Sequence, residues 1–340
     1  MPKWIGNYVG IARTFAGTVN DGRAQAGVYS LFDQYYAAKL DGWDAGVESS
    51  GGNKTTSGDQ TIHTFNSGPD TLEVTGVGVR TAKVLVVGGG GGGAEGAGGA
   101  GLLRYTTSFP LSAGNTYPVT IGSGGSAGRN PGGTSSFNNP TNTPDNVSSP
   151  GGGGGGSPGN GDGQPGGSGG GSRRDQGPPQ PVATGSGDPG GSTDAASPGN
   201  GWGNNGGISA DPTWCGAGGG GGAGANGNNG TGGTPTDERG GPGGAGLTYG
   251  ISGTPTAYAG GGGGGCEGGG PNTAAPPGGQ GGTGGGGTGA ISTQTPSPRN
   301  ATGGSANTGG GGGGMAATGA PPGPNVRTGG SGVVIVSFPT

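Results

Sequence analysis

Glycine in unbroken runs is what most limits how this chain can fold: residues 88–93, 151–156, 260–265 and 309–314 are each six glycines in succession. Such a run has no side chain to bury, so it can make neither an amphipathic helix nor an alternating strand. Ordering glycine also costs more backbone entropy than any other residue, about 1 kcal/mol each relative to alanine. A fold that uses these runs has to offset that cost through the backbone itself. Further clusters stand at 166–171, 218–222 and 284–287. Their intervals are irregular, which excludes a solenoid of fixed period, and successive glycines violate the Gly-X-Y rule of collagen.

Glycine and proline together supply 103 and 28 of the 340 residues, while only 25% are hydrophobic and 9% charged. The chain is poor both in what builds a core and in what keeps a disordered chain solvated. Disordered linker is the plain compositional alternative, but the glycine is confined to bounded runs that alternate with sequence of ordinary complexity. A net charge of −4 with scattered arginines argues against nucleic acid as a partner. No stretch approaches the roughly 20 apolar residues of a membrane span, so no membrane insertion is expected. The N-terminus lacks signal-peptide features, and cytoplasmic synthesis is the simplest expectation.

Residues 1–48 differ in texture from the rest. Val28, Leu31, Phe32, Tyr35, Tyr36 and Leu40 recur at three- and four-residue spacing, as on one face of a helix that Ser30 could cap and Gly42 could stop. A helix of this length is marginal alone, so its aromatic stripe is expected to pack on another subunit or on downstream strands. Residues 49–60 read as a linker, and 61–340 as a glycine-rich head. Short β-branched and aromatic runs at 61–65, 71–79, 83–87, 102–109 and 116–121 predict a small antiparallel sheet. Val84, Leu85, Val86 and Val87 are apolar throughout and call for a strand covered on both faces, as does the closing run 333–338. Pairing of 83–87 with 333–338 would clamp the glycine-rich region 122–332 at both ends.

Polyglycine can satisfy its own backbone when three-residue-per-turn rods lie side by side and exchange lateral N–H···O=C bonds, because no Cβ keeps them apart. At about 3.1 Å per residue, a run of six spans roughly 19 Å. The Pro-, Asn-, Thr- and Asp-rich segments 129–149, 172–200, 225–239, 271–280, 291–302 and 315–328 then read as loops at the rod ends, where binding specificity usually resides. Candidate contact residues are Arg129, Asn138, Asn139, Arg173, Arg174, Asp175 and Trp202. Trp202, Trp214, Tyr249 and Tyr258 could instead serve as packing for a small core.

Other chemistry is thin. Residues 86–93 fit the letters of a dinucleotide fingerprint, but no helix follows and no acidic residue stands about 20 positions on. The single histidine, His63, has no catalytic partner placed by spacing and reads as a surface or hydrogen-bonded strand residue. Segment 159–163 lacks the repeated oxygen ligands of a calcium turn. Cys215 and Cys266 could pair only if their runs adjoin, and reduced thiols are the simpler expectation. No enzyme, metal or cofactor is expected.

The order of residues 62–65, a hairpin, Lys83 to Val87 running into glycines 88–93, Tyr117 to Gly122, many glycine clusters and a closing 329–336 resembles the glycine-rich domain of phage tail proteins. Residues 27–35 are also similar to a short element near the start of many marine-phage structural proteins. The resemblance implies a fold that is mostly β and irregular, with a short helix-containing N-terminal anchor. A small β-sheet domain would clamp a polyglycine-II helix bundle bearing surface loops. It further implies a virion tail fibre or adhesin, made in the host cytoplasm and trimeric by fibre analogy. Residues 1–48 would bind other virion proteins, and the loops a bacterial surface glycan or outer-membrane protein. A passive capsid or tail decoration protein is the alternative.

Overall fold

The structure is a computed structural model that describes residues 48–75, 79–157, 161–173, 201–209, 216–232, 234, 237–267, 278–291, 300–316 and 326–339. The expected helix at Val28 to Leu40 lies outside these residues, as do Cys215, Arg174, Asp175 and Trp214. Among the described residues there is no α-helix. The expected sheet is in fact two antiparallel five-stranded sheets. One takes β1 (Ser49–Ser50), β4 (Asp70–Val74), β7 (Asn115–Thr120), β8 (Ser135–Phe137) and β9 (Val147–Ser149), in that order. The other has the order β2 (Asn53–Ser57), β3 (Gln60–Phe65), β12 (Val333–Pro339), β5 (Val79–Val87) and β6 (Leu103–Ser112).

The two sheets close on an apolar core in which Leu72, Tyr117, Val119 and Phe137 meet Phe65, Val84, Val86, Phe109, Val334, Val336 and Phe338. β12 and β5 pair antiparallel, Ile335 opposite Leu85 and Val336 opposite Val84, as their apolar pattern predicts. Their alternate residues Leu85, Val87, Val333 and Ile335 face away from the first core and into a second. That second core is covered by the hairpin β10 (Leu247–Tyr249) and β11 (Thr256–Tyr258) and by Trp202. Central strands buried on both faces are therefore explained by a third layer.

Three segments depart from the sequence expectation. Residues 49–60 are not a linker but carry β1 and the edge strand β2, whose five exposed residues give no apolar signal. Segment 129–149 is not a loop throughout, because β8 and β9 complete the first sheet. The run expected at 71–79 divides, Val79 opening β5 rather than ending β4.

Strands pass directly into glycine rods. β5, β7 and β9 run outward into 88–93, 122–128 and 150–156, while 97–102, 130–133 and 327–332 run back into β6, β8 and β12. Rod 88–93 lies at the centre of the other five and 309–314. Its N–H groups donate in turn to Leu102, Gly133 and Gly330, then one turn later to Gly99, Asn130 and Arg327, at 2.7–2.9 Å. Partner numbers fall as the donor number rises, so these three neighbours are antiparallel. The carbonyls of Gly89 and Gly92 accept from Gly152 and Gly155, those of Gly90 and Gly93 from Gly125 and Gly128, and that of Gly91 from Gly312. Antiparallel and parallel neighbours alternate around the centre, and every third residue meets the same neighbour.

The spacing admits only glycine. A Cβ on Gly90, Gly91 or Gly92 would lie 2.0, 2.1 or 1.9 Å from the carbonyl oxygens of Gly310, Gly153 and Ser126. Rods 218–222 and 260–265 are likewise ringed by six hydrogen-bonded neighbours, and 260–265 joins the first cluster through Gly262, which donates to Gly98. Long glycine runs are thus interior rods. A lateral hydrogen bond contributes about 1 kcal/mol, comparable to the extra entropy cost of ordering glycine rather than alanine.

Candidate distal recognition face

Because the strands feed into one end of the bundle, the other end is distal to both sheets. The chain reverses there at 94–96 and at 126–129. The described residues bordering segments 158–160, 210–215, 268–277, 292–299 and 317–325 also stand at this end, as the pairings of Gly156 with Gly171, Cys266 with Ile291 and Met315 with Ala94 show. Side chains can be displayed here because rods stop being enclosed.

Of the candidate contact residues, Arg129 and Arg173 reach this face. Arg129 is half-buried in the turn that Asn130 closes, the Asn130 side-chain amide donating to Ala127 O at 3.1 Å. Arg173 is not a free contact residue: its Nε lies 2.5 Å from Glu95 Oε2, and the glutamate side chain is 4% exposed. The pair ties the 94–96 turn to the end of rod 166–172.

The remaining candidates among the described residues, Trp202, Asn139 and Asn138, lie elsewhere and are structural. Trp202 is 6% exposed, exchanges backbone hydrogen bonds with Leu103, and packs in the second core. Tyr249 and Tyr258 share that core, with the Tyr249 ring tilted against that of Tyr105, their centroids 4.7 Å apart. Asn139 is buried, its Oδ1 accepting from Thr141 N and Asn142 N and its amide donating to Asp145, so it shapes the 139–146 turn. Asn138 is half-buried beside β8, its N–H donating to Pro118 O.

Sequence reading missed two features. Arg327 stands at the level of Gly93, whose N–H donates to the Arg327 carbonyl, and its Nη1 reaches only the Met315 thioether at 2.8 Å. Its position just ahead of a glycine pair that returns to a strand, shared with Arg129, was the available signal. The second is an open groove of about 650 Å³ lined by Asn228, Asn229, Arg239, Gly240, Pro242 and Gln280 among others.

His63 is fully buried on β3, between the rings of Phe65 and Phe338. Its Nδ1 lies 2.7 Å from Gly51 O and its Nε2 2.8 Å from Ser49 Oγ. Since a carbonyl can only accept, Nδ1 carries the proton and Nε2 accepts from the serine hydroxyl. Desolvation pushes its pKa below the ordinary histidine value, outweighing the Gly51 carbonyl, with Lys54 adding to the depression.

Residues 66–339 match the family described as a glycine-rich domain. The chain belongs to that family. No curated protein and no solved structure matches it. The matched span opens just after β3 and closes with β12, so it takes in β4 to β12 and the rods but not β1, β2 and β3. Among its described residues, no cluster of three His, Cys, Asp or Glu could hold a metal ion.

Proposed function

We propose that the protein is a virion structural protein, a phage tail fibre or adhesin, in which a polyglycine-II bundle carries host-recognition residues at the end remote from the sandwich. The observation that supports this most is the direct continuation of sandwich strands into rods. It makes a stiff frame whose enclosed parts have no groups to offer a ligand and whose distal end has many. Residues 1–48 then attach the head to other virion components and to sister chains, with a trimer expected from fibre symmetry. The reading assigns the protein no catalysis.

A passive decoration or spacer role is the second reading, favoured by the internal duties of Asn139, Arg173 and Trp202. Exchange of 268–277, 292–299 and 317–325 together for unrelated sequence separates the two. An adhesin loses adsorption to its host while still assembling into particles. Unchanged adsorption would remove the adhesin reading and leave the spacer. Segment 129–149 is unsuitable for such an exchange, because it contains β8 and β9.

A further inference from the structure

Two guanidinium groups at the distal face have no carboxylate partner among the described residues. The Arg129 side chain makes no hydrogen bond or ion pair among the described residues, and its Nε is closed off from solvent. Arg327 has a buried, unpartnered Nε as well, and among the described residues its guanidinium hydrogen-bonds only to the Met315 sulfur, a weak acceptor. Both residues are half-buried. Their backbones border the same rod end: Gly92 donates to Asn130 O and Gly93 to Arg327 O. One rod, 122–128, separates them in the ring around 88–93, so the two chains stand somewhat less than two strand spacings apart, about 8 Å.

A partly desolvated cation without a counter-charge is costly, and arginines are normally placed so that the paired N–H groups of the planar guanidinium can bind carboxylate or phosphate oxygens. The neighbouring Arg173 shows the ordinary solution, because its charge is matched by Glu95. Burial also lowers the pKa of Arg327 from its usual value, in keeping with a charge that lacks compensation.

We propose that Arg129 and Arg327 form one binding site for an oxoanion, the phosphate or carboxylate group of an acidic surface glycan. For the source of that glycan the inference rests on the adhesin reading; the anion chemistry does not. The site selects an anionic group rather than a particular sugar, and binding weakens as salt screens it.

The test is binding of the full chain to four immobilised polymers: a phosphorylated lipopolysaccharide, the same material after dephosphorylation, polygalacturonate and neutral dextran. Wild type is expected to bind the first or the third, which distinguishes phosphate from carboxylate, and to ignore dextran. Arg129→Gln with Arg327→Gln is expected to lower that affinity tenfold or more with an unchanged melting temperature. If the double variant misfolds, the two single variants and a salt series on wild type from about 0.05 to about 0.5 M carry the test. Absence of wild-type binding to both acidic polymers, salt-independent binding, or equal binding by the variants overturns the proposal. Normal virion adsorption by the double variant, alongside lost adsorption on exchange of the distal segments, would sink the anion site and leave the adhesin reading standing. Polymer binding that is lost in the double variant, with virion adsorption unchanged both in that variant and on exchange of the distal segments, would leave the anion site standing and remove the adhesin reading.

Discussion

Gly91 and Gly153 lie in parallel neighbouring rods so close that a Cβ on the first would fall 2.1 Å from the carbonyl oxygen of the second. No rotamer change relieves that overlap, because both partners are backbone held by neighbours on every side. Gly91→Ala is therefore expected to destabilise the protein by about 3 kcal/mol or more, beyond ordinary overpacking of a side-chain core. Gly58→Asn is the control, since Gly58 has open space around it and a φ of +56° that asparagine tolerates. Thermal melting of both variants checks this: equal melting temperatures would refute the enclosed-rod description.

Ile335→Ala removes buried side-chain volume from the strand that closes the bundle, where Ile335 faces Leu85 across the ladder. The expected cost is about 2–5 kcal/mol. Since β5 and β12 continue into rods, amides at 88–93 and 329–332 should lose hydrogen-exchange protection together with the sandwich. Selective loss in the sandwich, with rods still protected, would show that the two parts fold independently.

His63 makes stability depend on pH with a definite sign. Its folded pKa lies below the ordinary value, so the unfolded chain takes up the proton first. The contribution is complete above about pH 6.5, declines as pH falls below that, and stops declining once the folded pKa is passed. His63→Gln should melt at a lower temperature than wild type at pH 8 and show a smaller loss between pH 7 and pH 5. The observable is melting temperature against pH, and a variant with the wild-type slope would exclude His63 as the source.

Trp202→Ala should cost about 3–5 kcal/mol, the range for removing a large buried aromatic. Trp202→Phe should keep most of the packing and leave adsorption of assembled particles as in wild type. Reduced adsorption by particles carrying Trp202→Phe would instead give Trp202 a direct part in recognition.

The strands with apolar residues on both faces, Val84 to Val87 and Val333 to Phe338, were legible because burial on two sides leaves an unmistakable run. The division into two sheets was not. Leu72, Tyr117 and Val119 alternate just as a partner strand in the same sheet would, and only tertiary contact with Phe137 and Phe109 separates them. β2 and β8 were hidden by composition: Asn53 to Ser57 face solvent, and Ser135 to Phe137 hold one large apolar residue. For the rods, six glycines in a row announced lateral packing, yet one glycine run is chemically identical to another, so which rods adjoin could not be read. Arg173 illustrates the same limit at the distal face. Its partner Glu95 is 78 residues away, and nothing local marks the pair.

The joining of strands to rods also sets how the domain would carry a mechanical load. β1 and β12, the first and last strands, both lie in the sandwich, so a pull between the distal face and the N-terminal side runs along the rod axes. Lateral hydrogen bonds lie across that direction and would be strained in shear, many at once, rather than opened one after another as in peeling a hairpin. Alternation of rod direction means that force entering the turn at 94–96 passes down two neighbouring rods into β5 and β6 of one sheet, while force entering at 126–129 passes into β7 and β8 of the other. Such a body resists extension collectively and yields only when many backbone contacts fail together.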